Sequence, residues 1–288
     1  MPPDAPPHAP APLPGEADDT WRALSARLTV IPGVVGVVLG GSRARGDALP
    51  SSDVDLGLYV DESLDLRRLE DLARDVAGPD AVVGARGGWG PWVDGGAWLS
   101  VDGVAVDWIY RDVGRVRQAV SDAVDGRAAW HVQPGHPLGF LDVAYAGELA
   151  SGGVLADPSG VLGALRSALD PFPAALAETL ADGTWEASFL VEGALKGARR
   201  GDSAYVAGCL FRAFGVCAHA LLGRAGQWAT NDKGLVARAG SAATAPDGWA
   251  AEVHTLLARP GSTPDDLAAT LTRARALVDA AREAVGRG

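Results

Sequence analysis

Apolar and polar positions along the chain follow two periods. Val54, Leu56 and Leu58 alternate with Asp53, Asp55 and Gly57, the period-two pattern of a half-buried strand. Val34 to Leu39 is a short apolar run that predicts a core strand just before it. In Val104–Tyr110, Val104, Val106 and Trp108 fall on one face and Ala105, Asp107 and Ile109 on the other. Ala81–Gly84 and Gly96–Val101 read as short strands around a Gly- and Trp-rich loop containing Trp89, Trp92 and Trp98. Helical spacing governs the segments between them. It runs through Trp21, Leu24 and Leu28, then from Leu64 to Val76, then through Val113, Val116, Val120 and Val124. Ile31-Pro32-Gly33 and Gly78-Pro79 interrupt these helices.

From about Asp157 onward the sequence predicts helices alone. Asp157-Pro158-Ser159 supplies a cap and a first-turn proline. Further helices are expected over Trp185–Arg200, from about Ala204 to Leu222, and from Thr263-Pro264-Asp265-Asp266 to about Val285. The expected fold class is therefore α+β: an N-terminal mixed β-sheet flanked by helices, followed by an all-α bundle. The expected organisation is a Pro-rich tail over 1–18, with seven prolines in its first fourteen residues, a first domain over 19–155 and a helical domain over 156–288.

Composition narrows the function classes. The net charge is −11, which argues against a protein that tracks nucleic acid and suits a cationic partner. No apolar run is expected to span a membrane, and the N-terminus lacks the basic and apolar regions of a signal peptide. Cys209 and Cys217, eight residues apart in a helical pattern, are expected to be free thiols in a reducing cytoplasm. Of 25 cationic residues only Lys196 and Lys233 are lysines.

The chemistry concentrates in Leu39-Gly40-Gly41-Ser42 and Ser52-Asp53-Val54-Asp55-Leu56. Two carboxylates one residue apart on a strand share a face and offer hard oxygen ligands to Mg²⁺. The Gly-Gly-Ser turn gives a backbone that approaches phosphate closely. Asp107, inside an otherwise apolar strand, is either a structural buried acid or a third member of the group.

Together these segments resemble the signature of the DNA-polymerase-β-like nucleotidyltransferase superfamily. The two-part architecture is similar to the antibiotic adenylyltransferases that act on streptomycin and spectinomycin. The resemblance implies that Asp53 and Asp55 hold one or two Mg²⁺ ions, that Gly41, Ser42 and Ser52 contact the triphosphate of ATP or another NTP, and that Asp107 is the third acid, acting as metal ligand, general base or both. In the helical half, Gly201–Arg212 resembles the helix carrying a substrate-facing acid, Asp202, and a phosphate-binding arginine, Arg212. Asn231–Gly234 resembles the segment bearing a triphosphate-binding lysine, Lys233. Each has a structural alternative: Asp202 as a helix N-cap, Arg212 in an ion pair, Lys233 in an exposed turn. Glu192 lies four residues before Lys196, the spacing of a surface ion pair; its alternative is a base facing the acceptor.

The expected activity is Mg²⁺-dependent transfer of a nucleoside monophosphate, AMP from ATP, to a hydroxyl of a small molecule, with aminoglycoside-like antibiotics favoured, in a cytoplasmic monomer or homodimer. Nucleotidylation of a protein or tRNA, and a catalytically inactive nucleotide-binding protein, are the alternatives. His131 and His136 flank Pro134-Gly135 and are a weaker metal candidate. The Trp89–Trp98 loop either packs locally or stacks on a substrate.

Overall fold

A computed structural model describes residues 14–46 and 52–286. Helix α1 (Pro14–Leu28) leads into β1 (Val34–Leu39), the one-turn helix α2 (Gly41–Arg45), β2 (Val54–Val60) and α3 (Leu66–Ala77). Strands β3 (Gly96–Val101) and β4 (Val104–Asp112) precede α4 (Val113–Val124). Two short strands, β5 (Trp130–His131) and β6 (Phe140–Leu141), then α5 (Ala144–Ser151) and β7 (Gly153–Ala156), complete the mixed part. The remainder is helical: α6 (Val161–Ser167), α7 (Ala174–Asp182), α8 (Trp185–Ala198), α9 (Ser203–Arg224), α10 (Leu235–Gly240), α11 (Trp249–Ala258) and α12 (Pro264–Gly286). The fold is mixed α+β, as the periodicities require.

The chain forms two compact units, Met1–Val116 with Ser151–Leu165, and Arg117–Ala150 with Arg166–Gly288. The first is built on a five-stranded sheet of order β3-β4-β2-β1-β7. β2 and β4 run parallel and every other neighbour is antiparallel. Val54, Leu56, Leu58 and Val60 of β2 join Val106, Trp108 and Tyr110 of β4, and Trp21, Leu24 and Leu28 of α1, in one buried core. α3 adds Leu69, Leu72 and Ala73, and Asp65 caps it by accepting from the Arg68 amide at 3.1 Å. Asp55 of β2 and Asp107 of β4 consequently lie on the sheet face opposite this core.

The second unit has its own core, centred on α9, against which α7, α8, α10 and α12 pack. α12 begins with a reciprocal cap: the Asp266 amide donates to Thr263 Oγ1 (3.2 Å) and the Thr263 amide to Asp266 Oδ2 (3.3 Å). Cys209 and Cys217 on α9 are buried free thiols, and burial pushes the Cys217 thiol up to about 12.

Several expectations need correction. The chain does not divide at 155. Arg117–Ala150 belongs with the helices, because Leu138 enters their core and the Gly126 carbonyl accepts from Thr179 Oγ1 at 2.6 Å. The chain then returns to pair β7 with β1, a strand too short and half-buried to stand out in the sequence. The expected tail over 1–18 lies outside the described residues as far as residue 13; α1 already starts at Pro14. Ala81–Gly84 forms no strand; its main link to β3 is the Gly84 amide donating to the Gly96 carbonyl at 2.7 Å. The helix expected from Asp157 starts at Val161, with Asp157 Oδ2 accepting from the Gly163 amide at 2.8 Å. Finally, α9 is long and apolar enough by length and composition to cross a membrane, against expectation, and most of that length is buried inside the helical unit.

Candidate active site

The Gly-Gly-Ser turn and the Asp-x-Asp strand meet through β1 and β2. β1 ends at Leu39, which is paired with Leu56, and the Gly40 amide extends the ladder by donating to the Asp55 carbonyl at 2.8 Å. Gly41 then takes a left-handed φ of +62°, a conformation that glycine adopts without steric cost. A β-carbon at Gly41 would fall 1.7 Å from Asp55 Oδ2 and 2.7 Å from its Cγ. The Asp55 carboxylate is thus packed directly on the bare backbone of the turn.

Arg43, one turn into α2, closes this arrangement from the other side. Its Nε donates to the Asp53 carbonyl at 3.1 Å and its Nη2 to the Ser52 carbonyl at 2.6 Å. The guanidinium fork fixes two successive peptides at the entrance to β2, a geometry that a lysine ammonium does not reproduce. Sequence reasoning passed over Arg43, since nothing local shows that its partners lie about ten residues ahead. Ser42 lies in α2, half-buried, and Ser52 just before β2, also half-buried; Asp53 is exposed there.

Register sets the third acid. Asp55 pairs with Asp107 across the parallel β2–β4 ladder, and Asp107 pairs with Trp98 across the antiparallel β3–β4 ladder. Residues opposite one another in a ladder share a face. Gly40, just past the end of β1, and Asp55, Asp107 and Trp98 on β2, β4 and β3 therefore form a row across the sheet, on the face away from the core. Asp55 and Asp107 are both half-buried.

The loop before β3 is tied to the far end of β4 by charge. Arg86 Nη2 reaches Asp112 Oδ2 at 2.6 Å and Asp94 Oδ2 at 3.6 Å. The Arg115 amide donates to Asp112 Oδ1 at 2.9 Å, and an Arg115 guanidinium nitrogen donates to the Pro91 carbonyl. Asp94 is only 4% exposed. Burial raises its carboxyl above the usual range in spite of Arg86, Arg115 and Arg111. Burial acts the same way on Asp112, but the Arg115 amide and Arg86 outweigh it and hold that carboxyl low.

The remaining expected residues lie in the helical unit. Asp202 is the N-cap of α9, accepting from the Tyr205 amide at 3.0 Å. Arg212 makes a two-pronged pair with Glu186 (2.8 and 3.1 Å), donates to the Leu138 carbonyl at 2.9 Å and stacks on Trp130 with its carbon 4.2 Å from the ring centre. Asp232 Oδ2 accepts from the Leu138 amide at 3.1 Å, so Arg212 and the Asn231–Gly234 segment grip opposite sides of one residue. Lys233 is exposed there, its amide donating to Asn231 Oδ1 at 2.9 Å. Glu192 pairs with Arg275 rather than with Lys196: packing of α12 on α8 supplies a partner that helix spacing could not reveal. His131 contacts Asp142 at 3.1 Å.

Among the described residues no three His, Cys, Asp or Glu side chains form a ready-made metal cluster. Mg²⁺ does not need one. It keeps several waters, takes one or two carboxylates and draws its other ligands from substrate phosphates. Two carboxylates paired in register beside a bare glycine turn, with Asp53 exposed next to them, fit that requirement in donor chemistry and in access.

Residues 19–81 match the family described as "Nucleotidyltransferase domain". The match contains Gly41, Ser42, Asp53 and Asp55 and stops short of Asp107. No curated protein shows significant similarity to the chain. Among solved structures the chain is similar to a nucleotidyltransferase-like protein from Exiguobacterium sibiricum 255-15, at 12% identity and a TM-score of 0.44, covering 91% of this chain and 74% of that one.

Proposed function

We propose that this chain, which carries a nucleotidyltransferase domain over residues 19–81, moves AMP from ATP to a hydroxyl of a small molecule, with amine-bearing antibiotics of the aminoglycoside type as the favoured acceptors. The observation that carries this reading is the packing of Asp55 on Gly41 together with its register pairing to Asp107. A bare glycine backbone beside one carboxylate, with a second carboxylate opposite it in the ladder, supports binding of phosphate and metal.

In this reading Gly41, Ser42 and Ser52 receive the triphosphate. Asp53, Asp55 and Asp107 would hold Mg²⁺, which when bound neutralises phosphate charge and orients the α-phosphorus for displacement. Arg43 keeps Ser52 and Asp53 in place. Asp107, farther from the glycine turn, accepts the proton of the attacking hydroxyl, and pyrophosphate leaves. The protein's contribution is mainly positioning and charge stabilisation. Lys233 is exposed on its turn and Arg212 is paired with Glu186; both belong to the second unit. Asp202 and Glu192 have structural roles in the fold as it stands. A net charge of −11 supports a cationic acceptor, and two buried free thiols support a cytoplasmic setting.

The test is incubation of the full chain with Mg²⁺, each NTP and a panel of hydroxylated acceptors, with products read by mass spectrometry. An adduct of 5′-AMP on a small-molecule hydroxyl, abolished by Asp53→Asn in a protein that stays folded by circular dichroism, is the expected result. Full activity in Asp53→Asn would remove the site assignment, and AMP found on protein or RNA would replace the acceptor class.

A further inference from the structure

Trp98 ends the row that runs from Gly40 through Asp55 and Asp107. On β3, Ala97, Leu99 and Val101 enter the core, while Trp98 stands on the acid face with 69% of its surface exposed. Leaving an indole in water forgoes roughly 2 kcal/mol of burial, so a Trp held there calls for a reason. Its ring lies on that of Trp89, with centroids 4.2 Å apart and planes 10° from parallel. Trp89 belongs to a loop fastened at many points. Its amide donates to the Asp94 carbonyl at 3.4 Å, Tyr110 Oη donates to the Gly84 carbonyl at 3.0 Å, and Arg86 bridges to Asp112. Gly96 lets β3 start close against β4, since a β-carbon there would fall 1.8 Å from the Trp108 carbonyl oxygen. The stacked pair is held as one piece beside Asp107.

The order of the row gives this piece a direction. With the triphosphate at the Gly41 end, pyrophosphate departs toward the glycine turn. In-line displacement then brings the attacking oxygen from the opposite side, which is the side of Asp107 and, one strand farther, of Trp98. Neighbouring strands are about 4.8 Å apart, roughly the width of a six-membered ring.

We propose that Trp98, backed by Trp89, is the platform on which the acceptor lies: a hydroxyl-bearing ring with amine substituents, its face on the indole and its reacting hydroxyl at Asp107. Aromatic faces attract ammonium groups, and the adjacent carboxylates add to that attraction. The assignment rests on the nucleotidyl-transfer reading and adds to it the residue that selects the acceptor.

Nitrogen-labelled full-length protein tests it, with the two indole resonances assigned by Trp98→Phe and Trp89→Phe. Mg²⁺ with α,β-methylene-ATP is added first, then deoxystreptamine or glucosamine. The nucleotide is expected to shift the Gly41 amide and leave the Trp98 indole in place. The amino sugar or cyclitol is expected to shift both indoles, with its apparent Kd raised at least tenfold in Trp98→Ala, partly restored in Trp98→Phe, and nucleotide affinity unchanged in both. A Trp98 indole that responds to the nucleotide alone would make the stack a base platform, and one that responds to neither would make it packing; each overturns the proposal. If the Gly41 amide ignores Mg²⁺ and nucleotide, the nucleotidyl-transfer reading itself fails, and the platform falls with it by a separate signature.

Discussion

Gly41 and Asp55 share one packing site: the space a side chain at position 41 would need is already filled by the Asp55 carboxylate, 1.7 Å from the ideal β-carbon. Gly41→Ala therefore has two effects. It strains a backbone held at φ +62° by about 1 kcal/mol, and it drives the carboxylate off its perch. Displacement by about 1 Å is enough to lower turnover about 100-fold. The expected outcome is a folded protein with a melting temperature a few degrees lower and nearly all transfer lost, measured by AMP–acceptor formation. Near-wild-type turnover would separate the turn from the acids.

Asp107→Asn tests the far side of the row. It keeps the size and the ladder position of the side chain and removes the base. Transfer is expected to fall by about 10²–10⁴-fold, while Mg²⁺–nucleotide affinity, measured by calorimetry, changes only severalfold because Asp53 and Asp55 remain. An equal loss in binding would make Asp107 a metal ligand first.

Arg43→Lys keeps the charge but loses the fork that holds the Ser52 and Asp53 carbonyls. The expected result is a rise of about tenfold in the KM for the nucleotide with a smaller change in kcat. An unchanged KM would show that the entrance to β2 is held without Arg43.

His219 is expected to contribute to the pH response of the helical unit. It is buried beside Trp130, and burial first, then Arg212 and Arg238, lowers it from 6.5 to about 4. The unfolded chain takes up the proton at a higher pH than the folded one, so stability is complete above about 6.5 and is lost as pH falls toward 4. That difference is worth about 3 kcal/mol. His219→Phe is expected to flatten the melting-temperature profile over this interval. A profile as steep as wild type would assign the pH response to other groups.

Glu186→Gln removes the charge and one of the two acceptor oxygens facing Arg212, which keeps the Leu138 carbonyl and the Trp130 face. A loss of about 1–2 kcal/mol in denaturant unfolding is expected, from a charge-assisted pair that is mostly shielded from solvent.

Much of the site was legible because it is local. Gly41, Ser42, Asp53 and Asp55 sit in one strand–turn–strand segment, where period-two alternation alone shows which side chains share a face. Asp107 was legible from its apolar neighbours, and its pairing with Asp55 then followed from the register of β4. The unread parts depend on tertiary partners. Arg43, Glu186 and Arg275 find their partners through packing, which spacing does not encode. β7 pairs with β1, more than a hundred residues earlier, so neither its existence nor the return of the chain to the first unit has a local signal. Ala81–Gly84 has strand composition, but the chain there turns into the Trp loop after a single ladder bond.

The acid row is written across strands rather than along one. Asp55 and Asp107 are brought together by hydrogen-bond register, and the chain between them is free to change length without moving either. Insertions in the connection after α3 should therefore be tolerated, whereas deletion of one residue inside β4 ahead of Asp107 would turn that carboxylate into the core and bring an apolar residue to the acid face. For this protein, the evolvable dimension is loop length, and the protected one is the parity of two strands.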